Sequence, residues 1–132
     1  MKGLLVDTSG WYALVNKDEP RHLQVKACIL RHRTLLTTTS FVLHETLTLI
    51  RYRLGWEPAW QFGDGMRQGR FGRLVAITAA DEDAAWSIFG RYRDHRFSFT
   101  DCTSFASMQR LKLDTAVTLD DDFRSFGLHC LP

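Results

Sequence analysis

Apolar positions along the chain fall into two kinds of run. Gly3 to Val6 is short, continuously apolar and cut off by Asp7, and Leu35 to Thr37, Leu74 to Ile77, Thr115 to Leu119 and Leu128 to Leu131 are likewise short and bounded by polar residues. A strand with one wet face alternates polar and apolar positions, whereas a strand covered on both faces has no need to, so these runs predict buried strands. Long stretches of helical character lie between most of them, placed at about 9–16, 20–33, 40–54, 56–70, 81–94 and 101–112. Pro20 marks a start and Gly55 an end. Phe41, Leu43, Leu47 and Ile50 give the third stretch an apolar side, and Ala84, Ala85, Ile88 and Phe89 do so for the fifth. The stretch from Trp56 to Arg73 is expected to bend or fray, because Gly63, Gly65, Gly69 and Gly72 each weaken a helix by about 1 kcal/mol relative to Ala. Strands alternating with helices predict an α/β domain with a central parallel sheet of about five strands, since parallel neighbours need a crossover connection. No repeat, linker or shift in composition divides residues 1–132, so one domain is expected.

Composition narrows the class. At 132 residues the chain has the length of one compact domain able to bury about two-thirds of its surface. With 45% hydrophobic and 24% charged residues it has the material for an ordinary core, which excludes disordered, collagenous and low-complexity classes. No apolar run approaches the ~20 residues needed to cross a bilayer, so no membrane association and a cytoplasmic location are expected. Cys28, Cys102 and Cys130 are odd in number and form no Cys-x-x-Cys pair, which predicts reduced, mostly buried thiols rather than a disulfide framework or a thiolate zinc site. Seventeen basic against 15 acidic residues leave a charge of only +2, which by itself names no partner. Arg51, Arg53, Arg67, Arg70, Arg73, Arg91, Arg93 and Arg96 nevertheless crowd the middle of the chain. The guanidinium fork suits phosphate, a weak pointer to a phosphate-bearing ligand, although solvated helix faces are the commoner reason for such residues.

The acids carry more information. Asp7 directly follows the first predicted strand, Glu45 lies in the helix after the second, Asp101 opens a helix, and Asp120 follows the strand Thr115 to Leu119. Ligands of open parallel sheets bind beyond the carboxyl ends of the strands, which is where these positions fall. Each also has a structural reading, as a helix cap or a complement to a helix dipole. Glu45 sits in the largely apolar run Phe41 to Ile50, with no Lys or Arg one helical turn away, so its charge calls for a tertiary partner or a bound cation. Carboxylates converging on one edge repel one another unless a cation joins them, and an all-oxygen donor set favours Mg²⁺ or Mn²⁺, whose bound water is a ready nucleophile. Thr8, Ser9, Ser40, Thr100 and Thr118 stand beside the acids, placed to hydrogen-bond them or a ligand, or to serve as ordinary caps.

Leu4-Leu5-Val6-Asp7-Thr8-Ser9, Val42-Leu43-His44-Glu45, Phe99-Thr100-Asp101-Cys102 and Ala116-Val117-Thr118-Leu119-Asp120-Asp121-Asp122-Phe123 together resemble the four acidic motifs of PIN-domain ribonucleases, especially VapC-type toxins. The resemblance runs nearly end to end. It implies a three-layer α/β/α fold, a divalent-metal site and endonucleolytic hydrolysis of RNA. It places catalytic and metal-binding roles on Asp7, Glu45, Asp101 and Asp120, with Asp122 as a variably used neighbour, and it implies a homodimer restrained by an antitoxin protein. The region of Trp56, Trp60 and Phe62 does not align with the family pattern, and these aromatics are assigned to core or interface.

Other classes fit less well. A receiver-like phosphoacceptor domain needs paired acids after the first strand, where Asp7 stands alone, and a haloacid-dehalogenase-like phosphatase needs an acid where Ser9 stands. A zinc protease is excluded by Thr48 in place of the second His of His-Glu-x-x-His, which leaves His44 as a packing or supporting residue. A PIN nuclease of RNA processing outside any toxin system, and a binding-only member of the fold, remain as alternatives, the latter opposed by the full set of acids.

Overall fold

The computed structural model describes residues 3–132. The elements run β1 (Leu4–Val6), α1 (Thr8–Val15), α2 (His22–Arg31), β2 (Leu36–Thr39), α3 (Ser40–Arg53), α4 (Trp56–Arg67), β3 (Arg73–Val75), α5 (Ala79–Arg91), α6 (Phe99–Leu111), β4 (Thr115–Val117), α7 (Asp121–Ser125) and β5 (His129–Leu131). The five strands form one all-parallel sheet in the order β3-β2-β1-β4-β5.

Alternation along β1 divides the interior into two cores. Leu4 and Val6 point into a core completed by Trp11, Val25, Val42, Ile50, Phe62 and Met66, all from α1 to α4. Leu5 points the other way, into a core with Ala85, Ile88, Phe105, Met108 and Phe123 from α5 to α7. The sheet is therefore the middle of three layers, and all of β1, β2 and β4 is buried.

The expected elements are present, with instructive differences. At the sheet's edge only Val75 of β3 is buried, so pairing stops there although the apolar run continues to Ile77. The segment expected to fray is instead a helix as far as Arg67. Its glycines are contact points: a Cβ at Gly63 would come within 2.9 Å of Leu47 Cδ2, and one at Gly65 would strike the Phe71 ring. Close packing against α3 and the stacked Phe62 and Phe71 rings, 5.6 Å apart, outweighs the lost propensity. Phe62 is buried, whereas Trp56 and Trp60 stack on each other in solvent. In α5 the buried side is the narrow i, i+4, i+7 stripe of Asp81, Ala85 and Ile88, not Ala84 and Phe89, and the helix starts two residues earlier than expected, under a Thr78–Asp81 capping box. The short helix α7 lies outside the helical stretches that the apolar pattern predicts. Cys28 and Cys102 are buried, Cys130 is half-buried, and all three are free.

Candidate active site

The order of the strands places the acids. β1 pairs with β2 on one side and β4 on the other, and the direction of winding reverses between β1 and β4, which opens a crevice at the carboxyl end of the sheet. Val6 lies opposite Val117, so Asp7 leaves the sheet beside the segment that carries Thr118 and Asp120, and its amide donates to the Val117 carbonyl at 3.0 Å. The first turn of α6 brings Asp101, the start of α7 brings Asp122, and α3 brings Glu45. These five carboxylates line one cleft of about 690 Å³, together with Glu19, Thr8, Ser9, Tyr12 and the arginines Arg21, Arg53 and Arg96.

Short-range hydrogen bonds hold each acid in place. Thr118 Oγ1 donates to Asp7 Oδ2 at 3.1 Å and accepts from the Asp120 amide at 3.0 Å, so one hydroxyl ties the ends of β1 and β4 together. Ser9 Oγ accepts the Leu119 amide at 2.9 Å and lies 3.3 Å from Asp7 Oδ2. Thr8 Oγ1 donates to Glu45 Oε1 at 2.7 Å. Asp101 closes a capping box at the start of α6, its Oδ2 accepting the Ser98 amide at 3.1 Å while its own amide reaches Ser98 Oγ at 3.0 Å. Asp120 caps α7, Oδ1 accepting the Asp122 amide at 2.9 Å. For Asp101 and Asp120 capping and a cleft-facing role coexist, because an ionised carboxylate has two oxygens and about four acceptor sites.

Asp101, Asp120 and Asp122 each place an oxygen within 4.8 Å of the others. Burial, reinforced by the charges of Asp120 and Glu45 and opposed by the Thr8 amide and the Thr118 hydroxyl, pushes the Asp7 carboxyl up to about 6. Burial together with the charges of Asp7, Asp120 and Asp122 pushes Asp101 to about 7. Asp122 is raised too, by burial and then by Asp120. Among the described residues the ion pairs are Arg110–Asp81, Arg124–Asp121 and His95–Asp94, and none includes a member of the cluster. A dense, uncompensated, all-oxygen set fits a hard divalent cation.

The structure sorts the residues singled out from sequence. Asp7, Glu45, Asp101, Asp120 and Asp122 share the cleft with Thr8, Ser9 and Thr118. Glu45 is exposed rather than buried in the apolar run, because the buried side of α3 is Val42, Leu43, Thr46 and Ile50. Thr8 Oγ1 donates to Glu45, and among the described residues no Lys or Arg forms an ion pair with it. His44 is also exposed, in an apolar groove beside the cleft that includes Thr100. Ser40 Oγ accepts the Ile77 amide, away from the acids. Sequence reasoning missed Tyr12, Glu19 and Arg21 as cleft residues, whereas Arg53 and Arg96 were among the mid-chain arginines it noted, Arg53 two turns beyond Glu45 on α3. It also missed Asp81, a buried carboxylate that Arg110 Nε and Nη2 grip at 2.9 Å each.

A parallel sheet between two helical layers, with carboxylates gathered at its switch point and no basic group paired to them, defines an acid-centred nuclease domain. The PIN domain family model matches residues 4–127. The chain belongs to the PIN-domain family, among its VapC members. It is 34% identical over 124 residues to the 23S rRNA-specific endonuclease VapC20 of Mycobacterium tuberculosis, covering 94% of each chain. It is 26% identical over 117 residues to ribonuclease VapC26 of the same organism, covering 89% of this chain and 86% of that one. The crystal structure of VapC20, described as a sarcin-ricin loop cleaving toxin, superposes with a TM-score of 0.90 at 33% identity over 96% of each chain. DNA-bound VapBC from Salmonella typhimurium shares the fold, with a TM-score of 0.73 at 14% identity over 98% of this chain and 97% of that one.

Proposed function

We propose that the chain is a divalent-metal-dependent endoribonuclease, the toxin of a toxin–antitoxin pair, and that its substrate is an exposed loop of 23S rRNA. The observation that carries the reading is the set Asp101, Asp120 and Asp122, with oxygens within 4.8 Å and no basic partner, at the β1/β4 switch point. The substrate rests on the likeness to VapC20, which is named for 23S rRNA.

Asp101, Asp120 and Asp122 would hold Mg²⁺ or Mn²⁺, with Asp7 and Glu45 completing the donor set. A bound ion of this kind supplies positive charge for the phosphate and an acidified water for attack. The protein's own part is orientation. The Ser98 amide fixes one oxygen of Asp101 and the Asp122 amide fixes one oxygen of Asp120, leaving the second oxygen of each free. The Thr118 hydroxyl holds Asp7 Oδ2 and favours its ionised form, and Thr8 holds Glu45 from the far side of the cleft. Attack by water needs no help from the RNA 2′-hydroxyl and leaves a 5′-phosphate and a 3′-hydroxyl.

The partner is an antitoxin protein that offers a guanidinium to these carboxylates in competition with metal, since paired hydrogen bonds from Arg relieve the same repulsion. The working form is a homodimer in the cytoplasm, and among the described residues no helix is long and apolar enough to cross a membrane.

The test is to map cleavage ends on ribosomes and on total RNA with purified protein in Mg²⁺, Mn²⁺ and EDTA. New 5′-phosphate ends that depend on metal and on Asp120 are expected. A 2′,3′-cyclic phosphate product, or full activity in EDTA, refutes the mechanism. Cuts elsewhere than 23S rRNA refute the substrate alone.

A further inference from the structure

The cleft gathers six carboxylates, Glu19 beside the five above, and is a poor place for a polyanion unless positive charge stands nearby, while a bound ion serves only the phosphate under attack. Three arginines line the same cleft, and among the described residues none is paired to a carboxylate. Arg53, in the last turn of α3, is held by a neutral group: its guanidinium carbon lies 5.5 Å from the centre of the Tyr12 ring, within cation–π range. A ring face holds a guanidinium without consuming its N–H donors, so these remain available to phosphate oxygens. Arg21 is also held by a neutral group, its Nε donating to Gln24 Oε1 at 3.1 Å, which leaves its two terminal nitrogens for phosphate.

Their placement brackets the acids. Arg53 belongs also to the groove beyond Glu45, with Thr48, Leu49 and Tyr52. Arg21 belongs also to a small recess beyond Asp120, with Leu119 and Arg124. The five clustered acids thus lie between one arginine on the Glu45 side and another on the Asp120 side.

We propose that Arg53, held on the Tyr12 ring, binds an RNA phosphate next to the one that is cut, with Arg21 receiving the strand on the other side of the acids. This rests on the ribonuclease reading above. Tyr12 is a positioning residue, keeping Arg53 off the neighbouring carboxylates while Thr8 occupies Glu45.

The experiment measures binding of a fluorescent single-stranded RNA oligonucleotide to Asp101→Asn protein over a range of salt, and steady-state cleavage by protein with Asp101 intact. A lost phosphate contact lowers the slope of log K against log salt by about 0.7 on single strands. Arg53→Ala is expected to show that loss and a KM raised about tenfold, with kcat within about twofold, because a flanking contact binds ground and transition states alike. Arg53→Lys should restore the slope but not the full affinity. Tyr12→Leu should reproduce part of the KM change, and Tyr12→Phe, which keeps a ring face, should reverse it. Arg33→Ala, before β2 at the opposite end of the sheet, is the control and should match its parent. If the parent protein binds and cuts RNA while Arg53→Ala leaves slope and KM unaltered, this inference falls and the ribonuclease reading stands. A loss in kcat alone with the slope kept also overturns it. If the parent neither binds nor cuts RNA, both readings fall.

Discussion

Replacing Asp101 with Asn removes one charge from the crowded end of the sheet while keeping the side chain's shape and an oxygen for the Ser98 amide. In the metal-free protein the Asp7 carboxyl stands at about 6 and Asp101 at about 7, against 3.8 for an ordinary aspartate. At roughly 1.4 kcal/mol per pH unit, these gaps correspond to about 3 and about 4 kcal/mol. The charge of Asp7 is among the causes that raise Asp101, so part of the second figure belongs to the pair, and on the order of 4 kcal/mol or more is the scale for the cluster. The sign follows from linkage: a carboxyl whose folded value lies above its unfolded value holds its proton more tightly in the native state. Its contribution is complete below about pH 4 and is lost as pH rises through 6 to 7. The Tm of metal-free protein is therefore expected to fall by on the order of 10 °C between pH 4.5 and 7.5. Asp101→Asn should fall by less, since only the Asp7 gap remains, and should melt above the natural protein at pH 7.5. Millimolar Mn²⁺ should restore most of the loss in the natural protein and less in the variant, because an ion that binds only the folded cluster stabilises it by mass action. Scanning calorimetry in EDTA across this range, then in Mn²⁺, makes the measurement. Parallel curves for the two proteins between pH 5 and 7.5, or a midpoint unmoved by Mn²⁺, would show that these carboxylates do not share one desolvated site.

Asp7→Asn and Asp120→Asn are each expected to cut turnover by on the order of 100-fold or more at an unchanged fold, checked by cleavage kinetics beside circular dichroism. Thr118→Val removes the hydroxyl that favours ionised Asp7, so the acid limb of kcat/KM should move to higher pH, and Thr118→Ser should bring it back. An unmoved pH–rate profile would deny Asp7 a titrating part in the site. Arg110→Ala strips the partner from buried Asp81, whose carboxyl Arg110 holds below the usual range, and should cost about 1–3 kcal/mol in urea unfolding at pH 7, allowing for solvent around the arginine. That loss should shrink as pH falls below 4, where Asp81 protonates in the unfolded chain, and RNA cleavage should be unaffected throughout.

What sequence alone determined is local and one-dimensional. Val6, Val117 and their neighbours form continuous apolar runs because their strands are covered on both faces, so both the elements and their parallel arrangement were legible. So was the position of Asp7 and Asp120 at strand ends, which depends only on where a run stops. Tertiary structure decided what lies beside what. Only the order β3-β2-β1-β4-β5 makes Asp7 a neighbour of Asp120, since crossover connections, and not spacing, choose which strands pair. Only packing turns Val42 and Thr46 of α3 inward and Glu45 outward, and only tertiary contacts, Gly63 with Leu47 and Gly65 with Phe71, let a glycine-rich segment stay helical. Asp122 joins Asp101 and Asp120 because α7 forms under Asp120, a five-residue helix too short to leave a periodic signal. Arg53 and Tyr12 stand 41 residues apart on different helices, and their meeting follows from α1 packing against α3. Periodicity assigns a residue to a face; long-range packing decides which faces meet, and there the acids and arginines become one cleft.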